Sequence, residues 1–341
     1  MSQCQHNEIQ IIPILESLQI LDISDEEYFG EKYKEYISNS KLKLINPKEG
    51  GSPELYLQGL PFTASDAFYF GSAVHELVLQ PESFKLVESV DRPTAKAGFM
   101  ADELFTTYKK KGLVEFTDVV KASDKISYYK GKMDRDKYNA LIQKILPYFE
   151  QRLSYENNND HNGAIYLDVK SRDKLKSCLT NIKNHEGIQE LLNPKGLMSK
   201  PTSCNEATIL LDVKCVTPSK EEVVLHLKGK LDNYTLDWET GTITLNDLKT
   251  TGHLVEDFGK ASFYKYHYYR QMGMYGWLLH LANKAIYKIP DLTFKCNMLL
   301  VSSIPPCNCG IYKVTNSHIQ KGVQEFSDLL KRVAHLELYG N

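Results

Sequence analysis

Between Lys228 and Thr251 two runs rich in Leu, Thr, Ile and Tyr flank one short turn ending in glycine, which reads as an antiparallel β-hairpin. The first run carries Lys228-Gly229-Lys230-Leu231-Asp232, the turn is Trp238-Glu239-Thr240-Gly241, and the second run closes with Asn246-Asp247-Leu248-Lys249-Thr250-Thr251. A strand has a side-chain period of two, so Asp247 and Lys249 share one face. A four-residue loop with Gly241 in the left-handed position, or a two-residue loop at Glu239-Thr240, each sets Asp232 opposite Asp247. Residues so opposed hold their β-carbons about 4.5–5.5 Å apart. Two carboxylates that close repel unless a cation lies between them, and a divalent ion with oxygen ligands at roughly 2.1–2.5 Å fits the gap. An Asp-x-Lys triplet alone is common on solvated strands, so the rest of the chain must supply the context.

With 341 residues, 42% of them hydrophobic, the chain can build one large domain or two ordinary ones. Its net charge of −2 argues against a globally basic nucleic-acid coat, although carboxylates gathered for a metal would offset basic patches elsewhere. The seven cysteines form no regular framework and no charged-then-apolar leader is present, which points to a cytoplasmic protein. Its apolar stretches, around 274–285 and 298–304, fall short of the roughly 20 residues of a membrane span. Cys296, Cys307 and Cys309 match no familiar cluster-ligand spacing and read as small packed thiols.

Along the chain, amphipathic helices are expected around Ile9–Leu18 and Asp25–Tyr36. The breakers from Pro47 to Pro53 then mark a first boundary, giving an N-terminal helical extension over 1–60 and one domain over 61–341. Ser65–Leu79 reads as a helix stopped by Pro81, with Gly71 and His75 one turn apart on the same face. Arg92–Lys137 is lysine-rich, a solvated helix face or a track for a DNA backbone. Residues 164–194 read as helical and Glu206–Cys215 as a strand. Tyr264–His280 forms a helix dense in aromatics, Phe294–Ser302 and Gly310–Thr315 two further strands, and Ser317–Leu338 a closing helix. This order describes an α/β fold with a mixed sheet.

Gly71–His75 on a helix, Glu206 opening a strand, Asp232 and Asp247-x-Lys249 on a hairpin, and Gln271-x-x-x-Tyr275 on a helix together resemble the PD-(D/E)xK nuclease superfamily. The likeness is closer to its RecE-type branch, the exodeoxyribonuclease VIII domain, through Ile37–Leu42, Phe70–His75 with Leu79–Phe84, and Pro305–Val314. It covers roughly residues 37–335. Leu231 stands where the motif has proline, and Asp247 where it more often has Glu.

The resemblance implies a restriction-endonuclease-like core with a mixed central sheet flanked by helices. It also implies Mg²⁺ (or Mn²⁺) held by Asp232, Asp247 and the Leu248 carbonyl, with Glu206 and His75 serving a second ion or its waters. Lys249 is expected beside the attacking water, with Gln271 and Tyr275 holding water, phosphate or Lys249 in place. Lys228, Lys230, Thr250 and Arg270 are expected to meet DNA. In the strand register above, Lys230 faces Lys249, a repulsive pair without an anion nearby. The implied activity is exonucleolytic cleavage of linear duplex DNA from the 5′ end, leaving 3′ single-stranded tails. A ring-shaped homo-oligomer, such as a tetramer, and a RecT-like single-strand annealing partner go with it. Since fold and site do not fix the substrate, an endonuclease and a non-catalytic DNA-binding recombination component stand as alternatives.

Overall fold

The structure is a computed structural model that describes residues 8–59, 65–82, 85–88, 90–158, 164–194 and 202–340. The chain starts with β1 (Gln10–Leu21), then α1 (Asp25–Phe29), α2 (Asn39–Lys43) and α3 (Pro53–Gln58). A run of α4 (Asp66–Leu79), β2 (Lys85–Val87), α5 (Ala95–Lys111), α6 (Phe116–Ile126), α7 (Arg135–Asn158), β3 (Ala164–Tyr166) and α8 (Val169–Asn184) follows. Then come α9 (Glu186–Leu192), β4 (Thr202–Val216), β5 (Glu222–Asp237), β6 (Thr242–Thr251), α10 (Tyr268–Ala282), β7 (Thr293–Ser302), β8 (Cys309–Lys313) and α11 (Asn316–Tyr339).

Two compact units result: Met1–Pro61 with Asn181–Asn341, and Phe62–Thr180 between them. The expected boundary near residue 60 therefore does not cut off an N-terminal extension. The first 60 residues belong to the same unit as the hairpin. Nor is that segment helical throughout: Ile9–Leu18, expected as a helix, falls almost wholly in β1, which pairs antiparallel with β4 at the sheet edge. The misleading spacing has a local cause. Ile14 pairs with Asp212 but Gln19 with Leu210, so a bulge interrupts β1 and breaks its two-residue period. Ser17 stitches the bulge, donating to the Ile14 carbonyl at 2.8 Å and accepting from the Asp212 amide at 2.8 Å. Pro13 is tolerated because the strand lies at an edge.

The first unit is a mixed α/β structure around a six-stranded sheet ordered β1-β4-β5-β6-β7-β8. All neighbours are antiparallel except β6 and β7, which run parallel and are joined through α10. Its core places Leu278, Leu279, Phe326, Leu330 and Val333 of α10 and α11 in one cluster with Leu227, Leu231, Leu245, Met298 and Leu300 of the sheet. Burial of these side chains at roughly 1.5–3 kcal/mol each is the main force holding helices to sheet. The inserted unit has its own core, formed by Met100, Leu104, Val119, Leu141, Ile145 and Tyr148, and a two-stranded parallel sheet of β2 and β3. Among the described residues no helix is long and apolar enough to cross a membrane.

α10 and α11 touch backbone to backbone. A β-carbon on Gly322 would lie 1.9 Å from the Tyr269 carbonyl oxygen, and one on Gly273 would lie 2.5 Å from the Gly322 backbone. Gly322→Ala is therefore expected to force the helices apart and cost about 1–3 kcal/mol. Gly252→Ala, where a β-carbon meets nothing within 4 Å, is the control expected near zero. Urea midpoints of the two variants check this.

Candidate active site

The hairpin forms as expected: the loop is 238–241, and Gly241 is left-handed with φ 61°. The β5–β6 ladder runs from Asp237–Thr242 to Asn233–Asn246, the register that sets Asp232 against Asp247. There main-chain pairing stops. One step on, the Asp232 carboxylate accepts the Leu248 amide at 2.7 Å. A strand residue's N–H and C=O point to the same edge, so the Leu248 carbonyl opens toward Asp232 as well.

The alternation of β5 slips at the same place. Leu225, Leu227 and Leu231 reach the helix-facing core on one phase, and Tyr234 and Leu236 on the other, with Asp232 and Asn233 between them. Ala207, Ile209, Leu211 and Val213 on β4 change phase against Cys204 in step, across Asn205 and Glu206. Glu206 takes φ 52°, a left-handed conformation unusual for a side chain of its size. The β4–β5 register is the same on both sides of the slip, with Asn205 on Asn233 and Ala207 on Leu231. Glu206, Asp232 and Asp247 thus lie on one rung across three neighbouring strands, and carboxylate oxygens of Glu206 and Asp232 come within 4.8 Å.

Two ammonium groups divide this rung. Lys249 Nζ stands 2.8 Å from Asp247 and 3.9 Å from Asp232. Lys230 Nζ is 3.3 Å from Glu206 and also pairs with Asp25. The repulsion expected between Lys230 and Lys249 is answered by giving each its own carboxylates. Burial, the largest influence on Lys249, favours the neutral amine, but Asp247 and Asp232 outweigh it and hold the pKa above the ordinary lysine value. The Asp232 carboxyl is pushed up by burial against the pull of Lys249 and the Leu248 amide. Glu206 is pushed up to about 8, by burial first and by Asp232 second, with Lys230 opposing.

Gln271 donates to Asp247 Oδ1 at 2.9 Å from the first turn of α10. Tyr275, one turn later, is 8% exposed, and burial raises its pKa far above the usual phenol value. Its ring lies over Gly229, where a β-carbon would come within 3.2 Å of it, so Gly229 is what lets α10 approach the sheet.

Asp232, Asp247, Leu248, Lys249, Gln271, Tyr275, Glu206 and Lys230 therefore meet in one place. Lys228, Arg270 and Thr250 do not. Lys228 is buried, donates to the Tyr28 carbonyl at 2.7 Å and lies over the Tyr28 ring; burial and Lys41 bring its pKa down to about 8. Arg270, 1% exposed, pairs with Glu49 and Glu325 and donates to Asn39 at 2.9 Å, so it anchors α10 instead of reaching phosphate. Thr250 is half-buried, and strand alternation turns it away from the Lys249 face. His75 is half-buried on α4 of the inserted unit.

Sequence reasoning missed an amide ladder beside the rung. Asn233 donates to Asn205 at 2.7 Å, Asn246 to Asn233 at 2.8 Å and Asn297 to Asn246 at 3.0 Å, linking β4, β5, β6 and β7. The signal for it was an asparagine next to each acid, in Asn205-Glu206, Asp232-Asn233 and Asn246-Asp247. It also missed Asp25 and Tyr28, far away in sequence. Among the described residues no cysteine joins a ligand cluster, and Cys296 and Cys307 are buried.

No family model matches the chain, and no curated protein matches it. Among solved structures, a crystal structure from Eubacterium rectale described as a "Putative exonuclease" aligns over 93% of this chain and 87% of its own, at 12% identity and a TM-score of 0.48. At that degree of likeness the site must stand on its own geometry.

A carboxyl whose folded pKa lies above its unfolded value binds its proton more tightly when folded. The contribution of Glu206 is thus complete below about 4.5 and is lost as pH climbs through about 8. Without divalent ions, Glu206→Gln is expected to flatten the decline in unfolding midpoint between pH 5 and pH 8.5, measured by thermal scans across that range.

Proposed function

We propose that the chain is a divalent-metal-dependent deoxyribonuclease. The observation that carries the reading is the single rung on which Glu206, Asp232 and Asp247 meet Lys249 and the Leu248 carbonyl, where β5 and β6 part. An all-oxygen donor set of carboxylates and a carbonyl suits a hard cation such as Mg²⁺. The raised pKa values of Glu206 and Asp232 are what crowded, buried carboxylates show when positive charge nearby is insufficient.

A metal held by Asp232, Asp247 and the Leu248 carbonyl would supply charge withdrawal from the scissile phosphate and acidification of a water. The protein's own groups do the positioning. Lys249 stays charged beside Asp247 and can donate to a phosphate oxygen or to the attacking water. Gln271 fixes Asp247 by donating to Oδ1, leaving Oδ2 to Lys249 and the ligand side. Glu206, held beside Lys230, would serve a second ion or its waters. The resemblance gives His75 the same role.

The finer reading is an exonuclease on linear duplex ends that works 5′ to 3′, leaves 3′ tails, assembles as a homo-oligomeric ring and hands its product to a RecT-like annealing protein. It is supported by the resemblance of Ile37–Leu42, Phe70–His75 with Leu79–Phe84, and Pro305–Val314 to the RecE-type branch. Strand-labelled linear duplex and a closed circle, each digested with Mg²⁺ and with EDTA, separate the alternatives. Loss of the 5′-labelled strand with the circle intact is expected, and cutting of the circle would make the protein an endonuclease. Asp247→Asn is expected to lower hydrolysis by more than about a hundredfold while leaving DNA binding largely in place, and Gln271→Ala by about 10- to 100-fold. Unchanged Mg²⁺-dependent cleavage by Asp247→Asn would overturn the site.

A further inference from the structure

With Lys228 and Arg270 buried, two of the three cations expected to receive DNA are out of reach, and the segment between β6 and α10 offers an alternative. It folds as a π-helical turn at Gly259–Phe263 and a reversal in which His267 takes φ 52° before α10 begins. That path turns Tyr264 and Tyr266 outward, 46% and 47% exposed, while Phe258 and Phe263 close the core beneath.

The exposed rings connect to the site. Lys249 Nζ lies 5.9 Å from the centre of the Tyr268 ring, and the Tyr268 and Tyr266 ring centres are again 5.9 Å apart. Tyr266 thus stands within about four nucleotides of the catalytic ammonium at a rise of about 3.4 Å per nucleotide. Lys265 lies over the Tyr266 ring at 5.3 Å and Lys321 over the Tyr264 ring at 5.1 Å, while Tyr264 is fixed by its 2.9 Å hydrogen bond with His318. Lys260, Lys265 and Lys321 are exposed, and Lys321 also lies over the Tyr269 ring at 4.6 Å.

Half-exposed rings with ammonium groups lying against them complement a polymer of bases and phosphates with its bases unpaired. A duplex keeps its bases stacked on each other and offers these rings nothing but its edges. We infer that Tyr264 and Tyr266, with Lys265 and Lys321, form a ridge on which an unpaired DNA strand stacks as it passes to or from Lys249. The inference deepens the nuclease reading and rests on it for the source of the strand.

The test uses the full-length chain carrying Asp247→Asn, so that binding is read without cleavage, and fluorescence anisotropy with an oligothymidylate and a blunt duplex of equal length. Adding Tyr264→Ala and Tyr266→Ala is expected to weaken oligothymidylate binding about 5- to 150-fold per ring while changing duplex affinity less than about threefold. Tyr266→Phe, which keeps the π-face, is expected to bind as its parent. Lys265→Ala with Lys321→Ala should reduce the slope of log affinity against log salt by about 0.7 for each phosphate left without its ammonium. Equal losses on both probes, or unchanged oligothymidylate binding, overturn the ridge. Hydrolysis by the otherwise unaltered chain is measured separately. Tyrosine-dependent strand binding without Mg²⁺-dependent cleavage keeps the ridge and removes the nuclease reading, and cleavage without tyrosine dependence does the reverse.

Discussion

The hydrogen bond from the Leu248 amide to the Asp232 carboxylate, at 2.7 Å, is where the sheet stops being a sheet and becomes a site. Up to Asn233 and Asn246 the backbone satisfies itself. Beyond that rung an acidic side chain takes the place of a carbonyl, the strands part, and the Leu248 carbonyl is freed toward the opening. An amide donated into a buried carboxylate partly offsets the cost of desolvating it, roughly 1.5–3 kcal/mol for a charge-assisted bond. The asparagine ladder on the neighbouring rung keeps that opening from spreading, because it ties four strands through side-chain amides, those of Asn233, Asn246 and Asn297 buried. Neither feature makes sense alone. The carboxylates need the strands to part, and the strands can part only where a satisfied polar rung stands beside them.

Electrostatics then decides which charged residues are free to act. Acids outnumber the cations near the rung, so each ammonium there is drawn inward: Lys249 to Asp247 and Asp232, Lys230 to Glu206 and Asp25. The same pull explains Arg270. Its neighbours Glu49 and Glu325 come from the N-terminal segment and α11, and a buried guanidinium between them fixes α10 one residue before Gln271. Breaking such a pair strands a buried charge, which is the costly direction. A residue next to Gln271 in sequence thus serves the rung through the scaffold.

The parts of this site that were legible in sequence are those fixed by local geometry. Loop length and Gly241 set the hairpin register, the period of two put Asp247 with Lys249, and one helical turn put Tyr275 after Gln271. The parts that were not legible depend on residues distant in the chain. Nothing near Lys228 announces that Tyr28 will cover it, and nothing near Arg270 announces Glu325. The strand β1 was misread because its bulge imitates helical spacing, and only the partner β4 resolves the ambiguity. The phase slip at Glu206 is equally invisible, since a left-handed residue inside a strand is a tertiary outcome with no propensity behind it.

The N-terminal segment belongs to the site rather than preceding it. On the edge of β5 that β6 abandons, Ile37 adds a single parallel bridge, its amide donating to the His226 carbonyl at 2.7 Å and its carbonyl accepting the Lys228 amide at 3.0 Å. That bridge caps the edge below the opening as the β6 ladder caps it above, so the stretch from Gly229 to Asp232 lies between two paired segments. Asp25 holds Lys230 and Tyr28 holds Lys228 at the same edge. An opening in a sheet is an exposed edge unless its margins are pinned. Here the pins come from residues 25–49, so the geometry around Asp232 is set as much by the start of the chain as by the hairpin that carries it.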